Sequence, residues 1–259
     1  MSEPGPENGP REEEPGGDGS SAGTATARVA GGVVCLDAPG SRWLATGHDG
    51  GYRAADAAYN VAVPEGFDRT DLVAYARSRR ETAGFDAPGP TLLTGVDAAH
   101  ARGARSGPVT VLATAGVSNP AALSVGEREQ RDRYAGVPEV HDEPAGTVNL
   151  LVHTARALDD GALATLLGVV VETKAATLLS TTGFPGTTTD AAVVGCDSDD
   201  DPAQFAGSAT EVGAAARACT REAVRASLDA RYAETEIPAS VADAEHGVAT
   251  TREATVFEL

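Results

Sequence analysis

Lys174 is the one lysine among 20 basic side chains, the other 19 being arginine. It lies in Val171-Glu172-Thr173-Lys174-Ala175-Ala176, within an apolar helical series of Leu163, Leu166, Leu167, Val170, Val171 and Leu178. At about 100° per residue, Lys174 falls near the middle of that stripe and Glu172 points to the opposite side. A lysine that snorkels to water marks the end of an apolar face, but Leu178 lies a turn further on. The ammonium is therefore expected to be desolvated, and to need a charged partner or a chemical task.

Glycine-flanked polar runs supply further candidates. Gly47 and His48 sit in Thr46-Gly47-His48-Asp49-Gly50-Gly51, Ser118 and Asn119 in Thr114-Ala115-Gly116-Val117-Ser118-Asn119, and Asn149 in Gly146-Thr147-Val148-Asn149. Gly186, Thr187, Thr188 and Asp190 form Gly186-Thr187-Thr188-Thr189-Asp190. Loops of this composition at strand ends build pockets for polar ligands in α/β proteins, although each alone is equally an ordinary turn. Other patterns fail. No phosphate-loop or H-E-x-x-H pattern is present, and Gly19-x-Ser21-x-Gly23 lacks the strand and helix of a nucleophile elbow. His141, Asp142 and Glu143 sit between prolines and read as surface, so no metal site is expected.

The elements that must position these groups follow from pattern. Short strands are predicted at Gly32–Leu36, Arg42–Thr46, Ala57–Val63, Thr91–Thr94, Val109–Ala115 and Ala191–Val194. Thr147–Thr154 alternates, with Thr147, Asn149, Leu151 and His153 on one face and Val148, Leu150 and Val152 on the other. Helices are expected from Asp68 to about Glu81, after Asp159–Asp160, and from a Ser208-x-x-Glu211 box to about Tyr232. Together they predict an α/β fold: a layered single domain with a mixed β-sheet covered by helices, preceded by a disordered acidic tail. The tail is residues 1–28, rich in Pro, Gly and Glu; the domain spans 29–235, and 236–259 is a C-terminal extension.

Thirty-eight acidic residues give a net charge of −18, which excludes the basic patch that nucleic-acid or anionic-membrane binding needs. Membrane insertion is not expected, and the Glu-rich N-terminus lacks a signal peptide's apolar region. High acidity with almost no lysine suits a chain kept soluble in strong salt, in a cytoplasmic setting. Cys35, Cys196 and Cys219 have no metal or disulfide spacing and read as buried small side chains. Only 4% of residues are aromatic, so the core must be built from Ala, Val and Leu.

Taken in order, these segments resemble the adenosylcobinamide amidohydrolase family, archaeal-type cobinamide salvage enzymes. The resemblance is carried by W-L-A-T-G-H-D-G-G from Trp43, A-Y-N-V-A-V around Asn60, L-L-T-G-V from Leu92 and T-A-G-V-S-N from Thr114. It continues through G-T-V-N-L-L-V from Gly146, V-E-T-K-A-A from Val171 and G-T-T-T-D-A-A-V-V from Gly186. It covers about residues 30–232. His48 stands where many relatives carry another residue.

The resemblance implies hydrolysis of the amide that links aminopropanol to the corrin ring of adenosylcobinamide, giving adenosylcobyric acid and (R)-1-aminopropan-2-ol. It implies no protein-bound cofactor, since cobalt arrives on the corrinoid substrate, which is the expected partner. A ring that large needs a broad cleft, for which a homo-oligomer interface is one candidate place. Amide hydrolysis needs a nucleophile, an oxyanion donor and a proton for the amine. Water attack with Glu172 or Asp190 as base is one route, and a threonine nucleophile from Thr187–Thr189, with Thr188 central, is the other. Lys174 would protonate the amine or hold the product carboxylate. Asn119, Asn149 or the amides of Gly186–Thr188 would serve the oxyanion, while Gly47, His48, Asn60 and Ser118 would contact substrate. Two other classes stay open: a corrinoid-binding accessory protein without turnover, and an amidase of another small amide.

Overall fold

Pro39 and Gly40 read as a turn between two strands, yet one strand, β2 (Val33–Ala45), runs through them. The computed structural model, which describes residues 25–124, 134, 136–138, 147–199, 201–244 and 246–259, shows a bulge there. Proline donates no ladder hydrogen bond and Gly40 takes φ 72°, so the strand bends without ending. Its first half pairs with β1 (Thr26–Ala30), its second half with β9 (Ala191–Cys196), and both halves with β3 (Gly51–Ala62). Strand β1 overlaps the last residues assigned to the acidic tail; residues 1–24 lie outside the described set.

The main sheet has the order β4-β3-β2-β9-β8-β6-β5, where β4 is Thr91–Thr94, β5 Arg102–Ser106, β6 Val109–Ala115 and β8 Val148–Thr154. The β3–β4 and β8–β9 pairs are parallel and the other pairs antiparallel, the mixed sheet the pattern predicts. Strands β7 (Ala121–Leu123) and β10 (Val248–Thr250) form a separate parallel pair, which docks part of the 236–259 extension.

Side-chain alternation assigns the layers. Val148, Leu150 and Val152 pack with Val111 and Val194 against helices α2 (Asp160–Thr182) and α3 (Glu211–Arg231). On the opposite face Leu151, Leu112 and Val193 meet Trp43, Val34, Leu36 and Leu92. The bent part of the β2–β3 hairpin and β4 thus fold back over the sheet, and helix α1 (Leu72–Thr82) lies beside that layer. Each fully buried Val or Leu contributes about 1.5–3 kcal/mol, so the small-residue core suffices without many aromatics. All three cysteines are buried and free.

Helix α2 starts at an Asp159 cap on Ala162 N and stops at Gly183, whose φ of 79° only glycine adopts cheaply. By length and composition it could cross a membrane, with mean hydropathy 1.6 over its most apolar window. That apolarity serves packing: one side meets the sheet and another α3. Helix α3 is capped two residues later than expected, by Thr210 on Gly213 N, while the Ser208 hydroxyl accepts from Arg217 Nη1 at 3.3 Å.

Candidate functional site

Asp190 closes the loop that leads from α2 to β9, and four donors converge on its carboxylate. Oδ2 accepts from Lys174 Nζ in a close ion pair and from Thr187 N at 3.1 Å. Oδ1 accepts from Val148 N at 2.9 Å and from Thr187 Oγ1 in a short hydrogen bond. The side chains of Lys174 and Asp190 are 10% and 12% exposed, so the charges meet in a largely water-free setting. Lys174 reaches it from α2 because the stripe turns that face inward: Thr173, Lys174, Thr177 and Leu178 are all buried.

The loop geometry depends on Gly186. A Cβ there would lie 2.8 Å from Asp190 Oδ2 and 3.7 Å from Lys174 Nζ, so glycine leaves the ion pair room. Ala121 N donates to Gly186 O at 2.9 Å, and Thr188 N to Asn119 O at 3.2 Å, which ties the loop to the segment after β6. Asn119 Nδ2 also donates to Thr188 Oγ1 in a short bond, while its own Oδ1 is buried without a partner among the described residues. Lys174, Asp190, Thr187, Thr188, Asn119 and Gly186 are therefore brought together as expected.

Asn149 and Asn60 are also joined, but to each other. Asn149 Nδ2 donates to Asn60 Oδ1 at 2.9 Å and to Leu93 O at 2.8 Å, and Asn60 Nδ2 donates to Thr114 Oγ1 at 2.7 Å. Thr147 Oγ1 lies 2.9 Å from Asn149 Oδ1 and 2.9 Å from Thr189 O. Both donors of Asn149 are spent, which corrects its reading as an oxyanion donor. The amides clamp the folded-over layer onto β8, as buried polar groups must be paired to be tolerated. Thr147 and Thr114 belong to this clamp and were not singled out, although Thr147 shares Asn149's face at i, i+2.

Glu172 is not part of the cluster. Its side chain is 67% exposed and pairs with Arg217 of α3 at 3.1 Å, which corrects its reading as a candidate base. Gly47 packs on the Leu92 side chain, and the turn it begins is tied to β9: Thr46 N donates to Ala192 O at 3.0 Å and Ala192 N to Thr46 Oγ1 at 2.9 Å. His48 instead lines a separate cavity, and burial holds its imidazole below the ordinary histidine range. Ser118 is half-buried, its carbonyl 3.4 Å from His246 N. His141, Asp142 and Glu143 lie outside the described residues. A groove of about 660 Å³ between α2 and α3, lined by Thr177, Thr181, Arg217, Arg221 and Arg225, does not include the Asp190 cluster.

A hydroxyl, a carboxylate and an ammonium in one hydrogen-bonded series, at the end of a helix-covered mixed sheet, is an arrangement suited to hydrolysis through an activated nucleophile. The comparisons with known proteins agree in class and are more particular. A family model described as adenosylcobinamide amidohydrolase matches residues 11–236, and the chain belongs to that family. A protein named adenosylcobinamide amidohydrolase from Halobacterium salinarum is 54% identical over 230 residues, covering 87% of this chain and 96% of the relative.

Proposed function

We propose that this chain hydrolyses the amide between aminopropanol and the corrin-ring propionate of adenosylcobinamide, releasing adenosylcobyric acid and (R)-1-aminopropan-2-ol. Family membership and the curated relative support the reaction. The observation that carries the site assignment is the buried Lys174–Asp190–Thr187 series.

The geometry favours the threonine route. Four donors occupy the Asp190 carboxylate, so a water activated by it would have to displace one of them. Thr187 already directs its hydroxyl proton to Oδ1. In this reading Thr187 Oγ1 attacks the amide carbon and its proton passes to Asp190. Thr188 Oγ1, polarised by the Asn119 amide, donates to the developing oxyanion. Collapse breaks the C–N bond and aminopropanol leaves with the proton held between Asp190 and Lys174. Water then cleaves the corrinoyl ester: its oxygen bonds the acyl carbon as the C–Oγ1 bond breaks. One of its protons passes by way of Asp190 to Thr187 Oγ1, and the corrin carboxyl group is released and ionises to the carboxylate. Lys174 orients and charge-balances Asp190 throughout.

A cytoplasm of high salt is the proposed setting, supported by the charge of −18, the single lysine and the source of the relative. Mass spectrometry of adenosylcobinamide after incubation with the protein in molar salt tests the function. Equimolar adenosylcobyric acid and aminopropanol are expected. Binding without turnover would assign an accessory role, turnover of other amides alone would assign a different amidase, and neither binding nor turnover would sink the proposal.

A further inference from the structure

A second cavity, about 160 Å³ in volume, lies between the turn after β2 and helix α1, with Arg53, Arg77, Arg80 and His48 on its wall. Three arginines against one aspartate, Asp49, line so small a space in a chain whose net charge is −18. Arg80 is 7% exposed, and its side chain has no hydrogen-bond or ion-pair partner among the described residues; its Nε is buried and unsatisfied. It stacks over the Tyr59 ring at 5.4 Å, which supports the plane of the guanidinium but leaves its donors unused. Arg53 also keeps a buried, unpartnered Nε, although its terminal nitrogens bind Asp49.

A buried cation without a counter-charge is costly, and Arg80, largely buried and without a charged partner among the described residues, lines this cavity, where an anion would supply the missing charge. Asp49 offsets one of the three charges through its pair with Arg53, leaving the wall two positive charges in excess. The volume is several times the roughly 30 Å³ of a water molecule and accepts a tetrahedral oxyanion, but not a corrin ring. Guanidinium forks match phosphate oxygens in pairs, and a doubly charged anion balances the excess.

We propose that this cavity is an anion site for a phosphate group, either inorganic phosphate or the phosphoryl end of an organic monoester. It is distinct from the Lys174–Asp190 cluster. It is nevertheless linked to that cluster, because the turn carrying His48 and Asp49 is bonded through Thr46 to Ala192, two residues beyond Asp190. An anion held by Arg53 and Arg80 would stiffen that turn.

The test is a phosphorus NMR titration of the full-length protein in molar potassium chloride, with inorganic phosphate and with phenyl phosphate as probes. Saturable binding of either probe is expected, weakened tenfold or more by Arg80→Met and at least fivefold by Arg77→Gln. Arg77 is exposed, so its variant keeps the test valid even where loss of Arg80 prevents folding. Arg225→Gln, in the separate groove between α2 and α3, should leave binding within twofold of the parent. Tighter phenyl phosphate binding assigns the site to a monoester, and equal or weaker binding assigns it to the free anion. No saturable binding, or binding unchanged by both arginine variants at the cavity, overturns the proposal.

Discussion

Lys174 Nζ and Asp190 Oδ2 form a buried ion pair that bridges the middle of α2 to the residue preceding β9, sixteen positions on. The pair locks the 183–190 loop onto the helix that presents it, so catalysis and local stability depend on the same contact. Lys174→Ala should lower hydrolysis by about 10²–10⁴-fold. It should also cost about 3–5 kcal/mol of stability, because it leaves a buried carboxylate uncompensated. Urea denaturation of Lys174→Met, Asp190→Asn and the double variant checks this: the double variant should lose much less than the sum of the singles.

Thr187→Ser should retain most activity, while Thr187→Ala should abolish turnover with substrate binding preserved. Rapid quench in hydroxylamine should trap a corrinoyl hydroxamate from the parent protein. Full activity of Thr187→Ala would refute the nucleophile assignment.

Thr188→Val removes the proposed oxyanion donor and should reduce kcat by about 10²–10³-fold with little change in KM. Asn119→Leu should have a similar effect by freeing the Thr188 hydroxyl from its Asn119 contact.

Glu172→Gln should leave kcat/KM unchanged, since its carboxylate faces solvent and Arg217. The stability change should fall within about 0–1 kcal/mol, the range for exposed pairs. A large loss of activity would return Glu172 to the site.

His153, 1% exposed beside Ser41 and the Trp43 ring, is pushed down to about 4 by burial. Its folded state binds the proton less readily than the unfolded chain, whose histidine titrates near 6.5. The stability this gives is complete above pH 6.5 and is lost as pH falls from 6.5 towards 4, by up to about 3 kcal/mol. Asp197, 3.2 Å from Nε2, has its carboxyl raised by burial and acts in the opposite sense. The difference between parent and His153→Gln melting curves across pH 7 to 4 should therefore isolate the histidine contribution.

Much of the architecture was legible because it is local. The period of two over Thr147–Thr154 assigned both faces of β8, and the helical stripe placed Lys174 inward and Glu172 outward. The glycine-flanked run ending in Asp190 marked the loop that carries the cluster. The bend at Pro39–Gly40 was not legible, since the same dipeptide serves a turn or a bulge, and only pairing with β3 on both sides keeps the strand continuous. The Ser208 box failed for a similar reason, since Thr210 two residues on offers an equivalent capping hydroxyl and it is Thr210 that accepts from Gly213 N.

By itself, the sequence determined that one lysine had to be buried on an apolar helix face, that a Thr-rich loop followed it, and which family these segments belong to. Tertiary structure decided the partners. Asn60 and Asn149 meet across 89 positions once the bent hairpin folds over the sheet, and there their donors are consumed. Lys174 meets Asp190 because the loop covers its side of α2, and Glu172 meets Arg217 because α3 lies beside the other. Periodicity specifies which way a side chain faces; only long-range packing specifies which group waits there, and that choice separates a catalytic contact from a structural one.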